Sequence, residues 1–208
     1  MHSAAILAGG QATRFGGRDK SALLVDGRAI LDRQIAELST LTTDLLLVGG
    51  VRTNGARGVQ PCDASPERPA ARFVSDIVPG CGPLGGLHAA LTEARGDALF
   101  VVACDMPYVT SPFIAYLLSL ARDADIVVPQ SERGYHPLCA VYTRACLEPA
   151  AARLADRRLK MLEFVDGMRT RVVPVEDIRR FGDPDRLLAN VNTPAEYAGL
   201  EALHSHKL

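Results

Sequence analysis

Residues 4–20 read Ala4-Ala5-Ile6-Leu7-Ala8-Gly9-Gly10-Gln11-Ala12-Thr13-Arg14-Phe15-Gly16-Gly17-Arg18-Asp19-Lys20, and they say more than the rest of the chain combined. Ala4 to Leu7 is an apolar run of the kind that forms a strand buried on both faces of a sheet. Four glycines follow within residues 9–17. Lacking Cβ atoms, they let the backbone turn sharply and bring its N–H groups close to an anion. Arg14 adds a forked donor and Lys20 a point charge, the two usual complements of polyphosphate. The stretch reads as a strand entering a nucleotide-phosphate loop. The plain alternative is a glycine-rich turn that binds nothing, and it leaves two glycine pairs beside Arg14 and Lys20 unexplained. Spelling excludes two commoner loops. A P-loop needs glycine directly before Lys-Ser/Thr, where Asp19 stands, and the two glycine pairs do not give G-x-G-x-x-G.

Working outward, 208 residues suit one domain, 1–208, with a substantial core. Hydrophobic residues at 48% and charged residues at 23% are ordinary for a soluble globular protein. A net charge of −1 gives no bulk attraction to nucleic acid or an anionic membrane, so an anionic ligand must be held locally. No apolar run approaches the ~20 residues of a membrane span. Met1-His2-Ser3 lacks the basic start of a secretory signal. The five cysteines form no C-x-x-C pair and are odd in number, which points to reduced thiols and a cytoplasmic location.

Apolar runs alternate with amphipathic stretches along the chain. Residues 4–7, 44–48, 72–74, 98–103, 126–128 and 138–142 read as strands, and 30–38, 84–94, 112–121 and 195–203 as helices. Ser111 and Thr193, each before a proline, read as N-caps. Such alternation predicts an α/β fold: a Rossmann-like three-layer α/β/α domain with a mostly parallel sheet. Residues 52–71, with Pro61, Pro66 and Pro69, bury little and read as a mobile loop, either an insert or a lid.

In open α/β sheets ligands gather outside the carboxyl ends of the strands, where the remaining candidates fall. Asp105 leaves the run Leu99–Ala103, and Pro107 fixes the turn behind it. A carboxylate there is costly unless solvated, paired or metal-bound, and Mg²⁺ accepts one or two carboxylates plus phosphate oxygens. Asp76 ends another strand, and Gly82-Pro83-Leu84-Gly85-Gly86 opens a helix whose free N–H groups suit an anion or a ribose. A tight strand-to-helix connection is the plainer account of that loop. Asn190-Val191-Asn192-Thr193-Pro194 is a helix start that leaves two asparagines on one side of an extended segment. His136-Pro137 precedes a strand, where a lone histidine is commonly structural. Residues 153–171 turn basic, by default a solvated helix face.

Gly9-Gly10-x-x-x-Arg14-x-Gly16-Gly17-x-Asp19-Lys20 resembles the signature of the molybdenum cofactor guanylyltransferases, in the sugar-nucleotidyltransferase-like group. The likeness runs over roughly residues 4–200 in the family's order, through Asp76 with Gly-Pro-Leu-Gly-Gly, Cys104-Asp105-Met106-Pro107 and Asn190-Val191-Asn192-Thr193-Pro194. Phe15 stands where relatives often carry methionine, and Gly49 where they often carry asparagine. The resemblance implies a nucleotidyltransferase fold and transfer of GMP from Mg²⁺-GTP to the terminal phosphate of molybdopterin, with release of pyrophosphate. It implies catalytic roles for Lys20, Arg14 and Asp105. It implies nucleotide binding by Leu7, Ala8, Gly9, Gly10, Lys20, Asp76 and Asp105, with Asp105 and Asn192 at the metal. Arg157, Arg158 and His136 fall on the acceptor side. It further implies a monomer or weak oligomer in transient contact with molybdenum-insertion proteins or acceptor molybdoenzymes, without nucleic-acid or membrane partners. A cytidylyltransferase is the same chemistry on another base. A non-catalytic nucleotide sensor is the rival of a different class.

Overall fold

The computed structural model describes residues 1–8, 24–49 and 71–191. The strands are β1 (His2–Leu7), β2 (Leu24–Val25), β3 (Arg28–Ala29), β4 (Leu45–Val48), β5 (Arg72–Val74), β6 (Ala98–Ala103), β7 (Ile126–Ser131), β8 (Gly134–Tyr135), β9 (Cys139–Thr143) and β10 (Thr170–Val173). The α-helices are α1 (Ile30–Ser39), α2 (Gly82–Glu93), α3 (Ser111–Ser119), α4 (Leu147–Ala155), α5 (Met161–Asp166), α6 (Val175–Ile178) and α7 (Pro184–Leu187).

The main sheet runs β10-β7-β9-β6-β1-β4-β5, with β8 hairpinned on β7. β6, β1, β4 and β5 are mutually parallel, as are β7 and β10. β9 runs antiparallel to both of its neighbours. Its start therefore lies at the edge where the parallel strands end.

The strands are apolar throughout because helices cover both faces. Ile6, Leu47, Phe100, Val102 and Val141 pack with Leu31 and Leu38 of α1 and Phe113 and Leu117 of α3. Their sequence neighbours Leu7, Leu46, Leu99, Val101 and Tyr142 point the other way, against Leu84 and Leu87 of α2, Leu154 of α4 and Phe164 of α5. Period-two alternation thus divides one sheet between two cores, giving three layers.

All the expected strands are present, with ends displaced by a few residues. β2, β3 and β8 are too short to carry a periodic signal, and β10 begins inside the basic run. Ser111 is a correction. It is the first helical residue rather than the cap, and no side chain of its own segment caps α3. The Glu37 carboxylate of α1 instead accepts the Ser111 N–H at 2.7 Å. The expected helix at 195–203, the Thr193 cap and residues 52–70 of the expected loop lie outside the described residues. Among the described residues no helix is long and apolar enough to cross a membrane.

At the opposite edge of the sheet from the strand ends, buried Asp44 ties the first strands together. It accepts the Ser3 hydroxyl at 2.6 Å, the Arg95 N–H at 2.9 Å and the Arg72 guanidinium at 2.7 Å. Burial alone would raise its pKa, but these donors outweigh that and lower it.

Candidate active site at the carboxyl edge of the sheet

The strand ends lie side by side through backbone hydrogen bonds. Ala8 N–H donates to Val48 C=O at 2.8 Å, Gly49 N–H to Val74 C=O at 3.0 Å, and Cys104 N–H to Leu7 C=O at 3.1 Å. Leu7 and Ala8 therefore stand between Gly49 and the turn carrying Asp105. Gly49 has φ +74. Glycine takes that left-handed conformation freely, which suits it to this position.

Asp105 is half-buried in the turn behind β6. Its carbonyl accepts the Val191 N–H at 2.8 Å, so Asn190 is carried to the Asp105 turn. Buried Gln34 of α1 holds the same turn from behind. Its amide donates to the carbonyls of Ala103 at 2.7 Å and Met106 at 3.0 Å. Tyr108 closes the loop, with the guanidinium carbons of Arg186 and Arg33 over its ring at 4.6 Å and 5.6 Å from the centroid. It shares a small core with Val25, Ile30, Ala189 and Val191. Gln34 was missed in the sequence, although a signal was there: it falls between Ile30 and Leu38 on the buried stripe of a helix.

Asp76 follows β5, half-buried, and burial raises its pKa. Behind it, Gly80 and Gly82 take φ of +75 and +59, turning the chain into α2. The first turn of α2 holds no acidic residue, and Cys81 provides no side-chain cap. Arg157 lies far along the chain, yet its guanidinium reaches the Cys81 sulfur at 3.6 Å. Its backbone has φ +57 at the end of α4, where Arg158 N–H returns to Arg153 C=O at 2.9 Å. That is the Schellman closure, with arginine in the left-handed place usually held by glycine. Arg158 beside it is exposed.

His136 precedes β9, next to the end of β6, because Ala103 N–H donates to Leu138 C=O at 2.9 Å. Its Nε2 lies 2.7 Å from the Ser131 hydroxyl. Burial and the charge of Arg133 lower its pKa below the usual histidine value, favouring the neutral imidazole. The carboxyl edge thus brings together Leu7, Ala8, Asp76, Asp105, Arg157 and His136. Gly9, Gly10, Arg14, Lys20 and Asn192 lie outside the described residues.

The donor set fits a hard divalent cation. It offers a half-buried carboxylate at a strand end, and among the described residues no group of three or more His, Cys, Asp or Glu could form an all-protein cage. Mg²⁺ suits such a site, since it takes one or two carboxylates and completes its shell with waters and substrate phosphates.

The sequence matches the family described as MobA-like NTP transferase domain over residues 4–168. It is 32% identical to a probable molybdenum cofactor guanylyltransferase of Pelotomaculum thermopropionicum, over 92% of this chain and 87% of that protein. It is also 32% identical to a molybdenum cofactor guanylyltransferase of Desulfosudis oleivorans, over 95% and 93%. Among solved structures, molybdopterin-guanine dinucleotide biosynthesis protein A from Archaeoglobus fulgidus superposes with a TM-score of 0.77 at 24% identity, covering 99% of this chain and 100% of that one.

Proposed function

The chain belongs to the MobA-like NTP transferase family, and from that premise we propose that it joins GMP from GTP to the terminal phosphate of molybdopterin, releasing pyrophosphate. The named relatives support the guanine base and the acceptor. One observation carries the reading at the level of residues. Cys104 N–H on Leu7 C=O sets the Asp105 turn directly beside the strand that enters the Gly9–Lys20 loop.

Such a transfer asks little covalent help of a protein. It needs the acceptor phosphate in line with the α-phosphorus, and neutralisation of the charge that grows there. The backbone at Leu7, Ala8, Gly9 and Gly10 cradles the nucleotide, and Asp76 with the start of α2 receives its nucleoside. Lys20 and Arg14 meet the transferred group and the departing pyrophosphate. Asp105 and Asn192 would hold Mg²⁺, which when bound polarises the α-phosphate. Arg157, Arg158 and His136 line the acceptor side. A phosphate acceptor is already ionised near neutral pH, so the neutral imidazole of His136 orients it and removes no proton. The whole chain works as one domain, a cytoplasmic monomer or weak oligomer that meets molybdenum-insertion proteins or acceptor molybdoenzymes transiently.

The test is pyrophosphate release from each of the four nucleoside triphosphates, with and without molybdopterin. Release from GTP that requires molybdopterin supports the proposal. Preference for CTP makes the chain a cytidylyltransferase, and GTP binding without release makes it a sensor.

A further inference from the structure

The loop bearing Asp105 is gripped from α1 at both ends. Gln34 donates to Ala103 and Met106, the residues flanking Cys104-Asp105, and Glu37, one turn later, holds the Ser111 N–H where the loop ends. Gln34 is 3% exposed and sits among apolar side chains. Its Oε1 is buried and has no hydrogen-bond partner among the described residues. For packing alone this is a poor choice, since a buried acceptor left unsatisfied costs stability that an apolar side chain of similar size would not. What glutamine offers is a two-proton donor that converges on both carbonyls of one tight turn.

We propose that Gln34 is a positioning residue: its amide fixes the 103–106 turn so that the Asp105 carboxylate meets the divalent ion at the α-phosphate. The inference rests on the functional reading above. Its chemistry is that of an outer partner orienting a metal ligand, where substitution commonly lowers metal affinity or activity about 10–100-fold. Gln34 touches neither substrate nor ion. Its effect should appear in metal binding and in kcat, while GTP binding through the Gly9–Lys20 loop is spared.

The experiment compares the full-length parent with Gln34→Leu, Gln34→Glu and Asp105→Ala. Mn²⁺ serves as the probe, its binding read directly by electron paramagnetic resonance with GTP present. Thermal melting, kcat and the KM for GTP are measured alongside. Gln34→Leu is expected to melt within about 5 °C of the parent: it strips the donor from the Met106 carbonyl but removes the unsatisfied Oε1, and the Ala103 carbonyl keeps the Met106 N–H. Mn²⁺ affinity and kcat should each fall about tenfold or more, with the KM for GTP within about twofold. Gln34→Glu should fall as well, since a carboxyl group at this buried position donates one proton at most where the amide donates two. If Gln34→Leu does not fold, Gln34→Met keeps the length and volume and carries the same expectations. Parent-like Mn²⁺ affinity in a folded Gln34 variant overturns the proposal, as does a kcat loss matched by equal losses in melting temperature and GTP binding. Mn²⁺ binding abolished by Asp105→Ala but intact in Gln34→Leu overturns this inference alone. A parent that binds no Mn²⁺ through Asp105 and transfers no GMP overturns the functional reading with it.

Discussion

Asp105→Ala removes a half-buried carboxylate outside the apolar cores, so the fold should stay intact while turnover falls by more than ~10²-fold, the scale of losing one preorganised electrostatic element. Near-normal turnover in saturating Mg²⁺ would remove Asp105 from the mechanism. Asp44 makes the opposite case, a carboxylate whose role is structural. Asp44→Asn should destabilise by about 2–3 kcal/mol, below the usual cost of breaking a buried pair because Arg72 keeps a third of its side chain exposed. Its pKa is lowered in the fold, so the contribution is complete above the unfolded value of about 3.9 and vanishes as pH falls through the lower folded one. Urea midpoints of parent and variant, well separated at pH 7, should converge in strong acid. The places of Asp105, Asp76 and His136 at strand ends were legible in the sequence because each lies within two residues of an apolar run. Gln34 and Asp44 were not read as functional or structural anchors, since their partners lie 69 and 41 residues away and no local pattern encodes such a meeting.

Within single elements, the adjacent glycines Gly85 and Gly86 of α2 should behave differently. A Cβ on Gly85 would stand 3.0 Å from the Cys81 Cβ and 3.3 Å from the Val78 carbonyl, whereas on Gly86 it would make ordinary contact with Leu7 and Val48. Gly85→Ala should therefore lose stability, while Gly86→Ala should be neutral or gain up to about 1 kcal/mol of helix propensity, as read by denaturant unfolding. The end of α4 supplies another contrast. Arg157→Gly keeps the left-handed backbone and removes the guanidinium. Combined with Arg158→Ala it should raise the acceptor KM about tenfold and spare GTP, at roughly 1 kcal/mol or less per exposed contact. Equal weakening of GTP would assign these arginines to the nucleotide side, which Arg157's contact with Cys81 at the head of α2 makes a pointed comparison. Unchanged kinetics would return them to plain surface. The long elements were visible in the sequence from their periodicity. The caps were less so: α3 looks capped by its own serine, but a glutamate from another helix holds that end.

At the scale of the whole molecule, alternating strands and helices foretold three layers, and both faces of the sheet are covered as the continuous apolar runs require. The reversed strand was not foretold, because an antiparallel strand buried on both sides carries the same apolar spelling as a parallel one. Its effect on the site is direct: the sheet edge that collects strand ends also collects the entry of β9, and with it His136. The place of β1 has another consequence, for how the chain reaches this state. β1 lies between β4 and β6, and its pairing with β6 joins His2 to Ala98. On a ribosome β1 emerges before its partners, and β4, the outer one, follows within a few dozen residues. The flank facing β6 stays open until Ala98–Ala103 has been made. Closing so long a loop is entropically slow, and an unpaired apolar strand edge is meanwhile a template for association. Biogenesis should therefore be most vulnerable in that interval, when a nascent chain carries β1 and β4 but not yet β6.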